Sequence, residues 1–190
     1  LVRGRYPDQK PLAALATHAE LAVVKGEDYL AALELLESHK DDLEQREITD
    51  YRREFAGRAL DGRDDATVQR ILNLEPGLQS FVIERRISAH NSGGRLDDAR
   101  RLLAGDGKTL APGTLARLVS GVVLAVAKKQ GPAAALTEAE GLFAENAGVI
   151  AVQQSVLREA TKIESERKNG TGVANWLEGA EKADLPANLI

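Results

Sequence analysis

Apolar residues recur three and four positions apart along this chain, in stretches separated by Gly, Pro and acids. Residues 26–39 read GEDYLAALELLESH: a Gly, two acids and a Tyr lead into Ala and paired Leu on one side of a helix. The same order returns as GRDDATVQRIL from Gly62, GRLDDARRLL from Gly94 and, more loosely, GPAAALTEAEGLF from Gly131. From Gly26 through Gly62 and Gly94 to Gly131 the steps are 36, 32 and 37 residues. Gly admits the positive φ that ends one helix, and acids suit the first turn of the next. A recurring unit of two helices therefore accounts for the pattern.

The spacing predicts helices over 11–25 and 27–40, 46–60 and 63–74, 77–91 and 95–104, and 113–129 and 132–145. A further helix is predicted over 148–168, where Val149, Val152, Val156, Ala160 and Ile163 keep helical spacing. Leu115, Leu118, Val119, Val122 and Val126 form a similar stripe, broad enough for burial on most sides. LAGDGKTLAPG, between the third and fourth pairs, reads as a loop, and NGTG at 169–172 as a break. A short helix around VANWLEGAEKA closes the chain, anchored by Trp176 as an end cap. The expected fold is all-α: an α-α superhelix of about four antiparallel helix pairs with C-terminal capping helices. Residues 1–168 form the repeat domain and 169–190 the capping tail.

Composition strengthens the helical reading. The 190 residues are 43% hydrophobic but only 4% aromatic, so Leu, Val, Ile and Ala must build the core. Ala and Leu are strong helix formers, whereas a sheet calls for more β-branched and aromatic residues. The net charge of −4 weighs against nucleic acid as a partner. The absence of Cys excludes disulfides, thiolate metal sites and a Cys nucleophile. No apolar run approaches a membrane span, and no signal peptide is visible. The chain opens at Leu1 and contains no Met, which suggests a piece of a longer protein or dropped modified Met residues. Cytoplasm and periplasm both stay open as compartments. The Ala- and Arg-rich style suggests a bacterium with a GC-rich genome.

KGEDYLAALELLE, GGRLDDARRLL and the NLEPG at Asn73–Gly77 carry a resemblance to the tetratricopeptide repeat family over about residues 11–145. That family repeats two antiparallel helices every 34 residues. In its repeats a Pro often closes the second helix, and a small residue and a Tyr sit around the turn. Leu15, Ala19 and Ala22 stand where the first helix of a unit carries its packing residues. The first-helix aromatic and the Leu-Gly pair of the family are absent. The resemblance implies a scaffold that binds peptides or partner subunits in a concave groove lined by first helices.

The other constellations read as structural. GDGKT at 105–109 lacks the Gly that a phosphate loop needs, Leu102 standing in its place, and a helix rather than a strand precedes it. His18, His39 and His90 share no metal-ligand spacing and read as exposed or helix-end residues. Asp64–Asp65 and Asp97–Asp98 fall at helix starts, where carboxylates cap free N–H groups, and Asp41–Asp42 reads as solvated. Asn169–Thr171 matches a glycosylation acceptor but is more simply a loop. No set of acid, base and nucleophile can be assembled, so neither catalysis nor a cofactor is expected.

Arginine is the exception. Arg52 and Arg53 in YRREF, and Arg85 and Arg86 in IERRIS, are 33 residues apart, about one repeat. Both pairs lie in first helices, which the resemblance places on the binding face. Guanidinium groups suit bidentate capture of carboxylates. The expected function is a non-catalytic scaffold in which these four arginines meet a protein or peptide, an acidic segment or a C-terminal carboxylate. The competing readings are an accessory region of a larger protein and a module that assembles with its own copies.

Overall fold

A computed structural model describes residues 10–186. They form ten α-helices and no strand. In chain order these are α1 Lys10–Glu27, α2 Tyr29–Ser38, α3 Gln45–Asp61, α4 Asp65–Leu74, α5 Gln79–Ser92, α6 Leu96–Ala104, α7 Pro112–Gln130, α8 Pro132–Glu145, α9 Ile150–Glu166 and α10 Gly170–Lys182. The chain divides into two compact units, one ending at Val82 and one beginning at Ile83, so the division falls inside α5.

Local chemistry sets the boundaries. Asp28 caps α2 by accepting hydrogen bonds from the backbone N–H groups of Leu30 and Ala31. Asp64 caps α4 by accepting from Thr67 N–H. Glu44 and Glu47 form a reciprocal capping box at the start of α3. Pro112 and Pro132 open α7 and α8, where the missing N–H costs nothing. Gly94 and Gly131 take φ of +68° and +93°, the left-handed conformation expected of a helix-ending Gly. At the second turn the expectation shifts by one residue: Gly62 is right-handed, and Arg63 carries the positive φ of 59°.

In the first unit Leu21, Leu33, Leu36, Phe55 and Ile71 are fully buried together. Burying a side chain of this size contributes about 1.5–3 kcal/mol. Polar contacts tie the helices around that core. His18 of α1 hydrogen-bonds the Tyr51 hydroxyl through Nδ1 at 2.7 Å and Glu47 through Nε2 at 3.0 Å. The Tyr29 hydroxyl donates to Asp64 at 3.0 Å. Three residue sets differ from their expected roles. His18 is half-buried and joins two helices, so it is not a bland surface histidine. Asp42 accepts a hydrogen bond from the Thr17 hydroxyl at 3.2 Å, so it is not merely solvated. Leu15, Ala19 and Ala22 are exposed, because α1 turns Ala16, Thr17 and Leu21 inward instead.

In the second unit Val119, Val122 and Val123 of α7, Ala139 of α8, and Val152 and Val156 of α9 share one core with Ile87 and Ala99. The stripes expected on α7 and α9 are the buried faces of those helices. The loop expected after α6 contains a 3-10 turn at Asp106–Thr109. The break expected at 169–172 falls at 167–169, and Gly170–Gly172 already belong to α10. Asn169 is its N-cap and accepts from Gly172 N–H at 3.2 Å. Phe143 and Trp176 meet edge to face at 6.0 Å, which holds α10 against the bundle.

Candidate functional site

α7 is buried on most sides, as expected, about a face centred on Leu115, Val119, Val122 and Val126. Arg117, Gly121, Leu124 and Lys128 follow each other at intervals of four, three and four along the opposite side. Two clefts flank this stripe. The first, of about 620 Å³, lies between α5 and α7 and is lined by Ser88, Asn91, Gly121, Leu124 and Lys128 among others. The second, of about 490 Å³, lies between α7 and α9 and takes in Ser120, Ala151, Ser155 and Arg158. Arg117, Gly121 and Leu124 line both clefts.

The floor is built from small residues, which lets a ligand approach the helix axes. Gly121 has the Asn91 amide beside it: a Cβ built at 121 would lie 3.3 Å from Asn91 Nδ2. Ser120 and Ser155 hydrogen-bond each other at 2.5 Å across α7 and α9. Leu124 stands in the middle with 45% of its surface exposed, an apolar anchor point in a polar surround. Four cations surround it, Arg117, Lys128, Lys129 and Arg158, against one carboxylate in the lining, Glu159.

The four cations are not equivalent. Arg117 pairs with Glu84 of α5, and both side chains are more than a third exposed. Lys129 donates to the Gly94 carbonyl at 2.6 Å. Lys128 and Arg158 are exposed and pair with no carboxylate among the described residues. Asn91 Oδ1 and the neighbouring His90 Nδ1 are buried without a hydrogen-bond partner among the described residues. Burial holds the His90 imidazole below its ordinary pKa, aided by the nearby Arg95 and Arg86 and opposed by Asp98.

The arginines singled out in the sequence have other surroundings. Arg52 is 7% exposed. Its Nε and Nη2 donate to the two oxygens of Glu37, both at 3.0 Å, and its Nη1 reaches Glu75 at 3.2 Å. The bidentate carboxylate contact expected of it is therefore made within the chain, where it fastens α3 to α2 and to the end of α4. Arg53 is exposed and lies over the Phe81 ring at 5.6 Å. Arg85 is exposed and Arg86 half-buried. Arg52 and Arg53 belong to the first unit, Arg85 and Arg86 to the second.

The sequence reading missed Asn91, Arg117, Gly121, Leu124, Lys128 and Arg158. A signal was present in α7: a Leu flanked by cations at helical spacing, opposite the valine stripe. Among the described residues no three His, Cys, Asp or Glu side chains converge to hold a metal. No described helix is long and apolar enough to cross a membrane. No family model matches the chain, and no curated protein or solved structure is significantly similar to it.

Proposed function

We propose that this chain is a non-catalytic interaction module of the tetratricopeptide-like helical-repeat kind. It holds a segment of another polypeptide along the outer faces of α5, α7 and α9. α5 and α7 correspond to the first helices of the third and fourth predicted pairs, the helices that the family resemblance assigns to a binding face, and α9 is the further helix that follows those pairs. The observation that carries the proposal is the paired cleft centred on exposed Leu124, with a small-residue floor and a cationic rim. Binding energy concentrates in a few central anchors enclosed by polar contacts, and this arrangement has that form. The cleft hydroxyls of Ser120 and Ser155 are bonded to each other rather than to a base, which favours binding over acyl or phosphoryl chemistry.

A photo-crosslinking residue in place of Leu124 tests the proposal in native extract. It should capture a discrete polypeptide that the same residue in place of exposed Glu140 on α8 does not capture. Adding Gly121→Leu should block the capture by filling the floor. Equal capture from positions 124 and 140 would remove the groove from consideration.

A second reading has one observation in its favour. Leu15 and Val23 of α1 are 63% and 71% exposed, an apolar display that suits assembly with a copy of the same chain. Light scattering would show a dimer that becomes a monomer in Leu15→Ser/Val23→Ser.

A further inference from the structure

We propose that the segment held on α5, α7 and α9 is an acidic stretch of polypeptide bound in extended form. This rests on the binding-module reading and adds the chemistry of the ligand.

Charge favours an acidic ligand. The protein carries a net charge of −4, yet the lining of the two clefts sets four cations against one carboxylate. A positive groove in a negative molecule steers an acidic ligand to that groove and repels it elsewhere. Lys128 and Arg158 need surrender no ion pair to bind it. Arg117 would exchange the exposed Glu84 for a ligand carboxylate, and an exposed pair of that kind is worth little. Lys128 lines the α5–α7 cleft and Arg158 the α7–α9 cleft, with Leu124 in both, so the ligand presents acids on either side of an apolar residue.

An unsatisfied amide favours an extended main chain. Asn91 lines the α5–α7 cleft, and its Oδ1 has no partner among the described residues. The terminal torsion of Asn is broad and two-fold, so the amide can turn this oxygen toward the cleft. There it accepts a main-chain N–H. An extended peptide presents such donors along its length, whereas a helix consumes its own.

The reach of a short extended segment also suits the clefts. Packed helices generally lie about 8–10 Å apart, so a segment crossing from α5 over α7 to α9 follows a path on the order of 20 Å. Extended chain covers that path with about six residues at about 3.3 Å each. A nucleic acid would bring negative charge too, but the lining offers no aromatic ring for a base to stack on.

Fluorescence anisotropy tests the inference with end-blocked peptides of about eight residues. The acidic probe alternates Asp and Leu, and its controls carry Ser or Lys in place of Asp. The wild-type protein should bind the acidic probe, with affinity falling as salt rises. Lys128→Glu/Arg158→Glu should bind it at least about tenfold more weakly and gain affinity for the Lys peptide. Asn91→Ala should weaken the acidic probe with its salt dependence unchanged. Equal affinity of wild type and double variant for the acidic probe overturns the inference. So does displacement of the probe by a thymidine oligonucleotide at lower concentration. If the Ser peptide binds as tightly as the Asp peptide and Gly121→Leu blocks both, the acidic ligand is wrong and the module stands. If no peptide of any charge binds, both readings fall.

Discussion

Arg52 illustrates how a side chain's chemistry and its use can part company. Its residue type suggested carboxylate capture, and it does capture carboxylates, but they are Glu37 and Glu75 of its own unit. Those partners lie 15 and 23 residues away in sequence, and nothing local to YRREF points to them. Removing the guanidinium would leave two half-buried carboxylates facing each other. Arg52→Ala should therefore lose about 2–3 kcal/mol in urea unfolding, and Arg52→Lys should recover only part of that because it lacks the planar fork. A loss within about 0.5 kcal/mol would mean that water replaces the guanidinium without cost.

His90 supports a prediction of pH dependence. Burial depresses its pKa below the ordinary 6.5, so the folded protein favours the neutral ring and binds fewer protons than the unfolded chain. The resulting stability is complete above the ordinary value. It is lost as pH falls from there through the lower folded value. Unfolding midpoints of wild type and His90→Gln should therefore converge on acidification below the ordinary value. Parallel curves for the two proteins would exclude His90 as a source of the dependence.

At the scale of the element, helix boundaries were legible because they depend on neighbours in sequence. Apolar periodicity, the Asp28 and Asp64 caps and the prolines opening α7 and α8 all act within one turn. Gly94 and Gly131 end their helices as a Gly should, whereas Arg63 does so where Gly62 was expected to. The start of α10 was not legible, because Asn-Gly-Thr-Gly reads as a turn until something packs on it. That partner is Glu164, 7% exposed, which accepts from Asn169 Nδ2 at 3.0 Å. The same carboxyl crowds Gly172: a Cβ there would fall 2.5 Å from Glu164 Cδ. Gly172→Ala should thus cost about 1–3 kcal/mol by overpacking, and amide hydrogen exchange should quicken first along α10. Unchanged protection in α10 would show that the corner can yield. Asn169→Ala should cost about 1 kcal/mol through the lost cap.

At the scale of the whole molecule, cations that carry no internal duty are candidates for an external one. Lys128 and Arg158 are exposed and hold nothing together among the described residues. Charge reversal at both should leave the melting temperature nearly unchanged, since surface substitutions away from special features stay within about 0.5 kcal/mol. Arg52→Ala should show the opposite profile, with lower stability. A destabilised Lys128→Glu/Arg158→Glu protein would mean that these cations serve the fold.

The sequence by itself determined an all-helical chain, the approximate extents of its helices and the valine stripes that become the core of the second unit. It could do so because helix periodicity and capping are short-range, and apolar stripes must be buried somewhere. Only the tertiary structure decided which polar residues are spent and which are offered. Arg52 is consumed by acids from other helices, and His18 is held between two helices. Asn91, Leu124, Lys128 and Arg158, from three separate helices, come together along two adjoining clefts. Such convergence depends on how helices pack, and packing joins residues that no local pattern links.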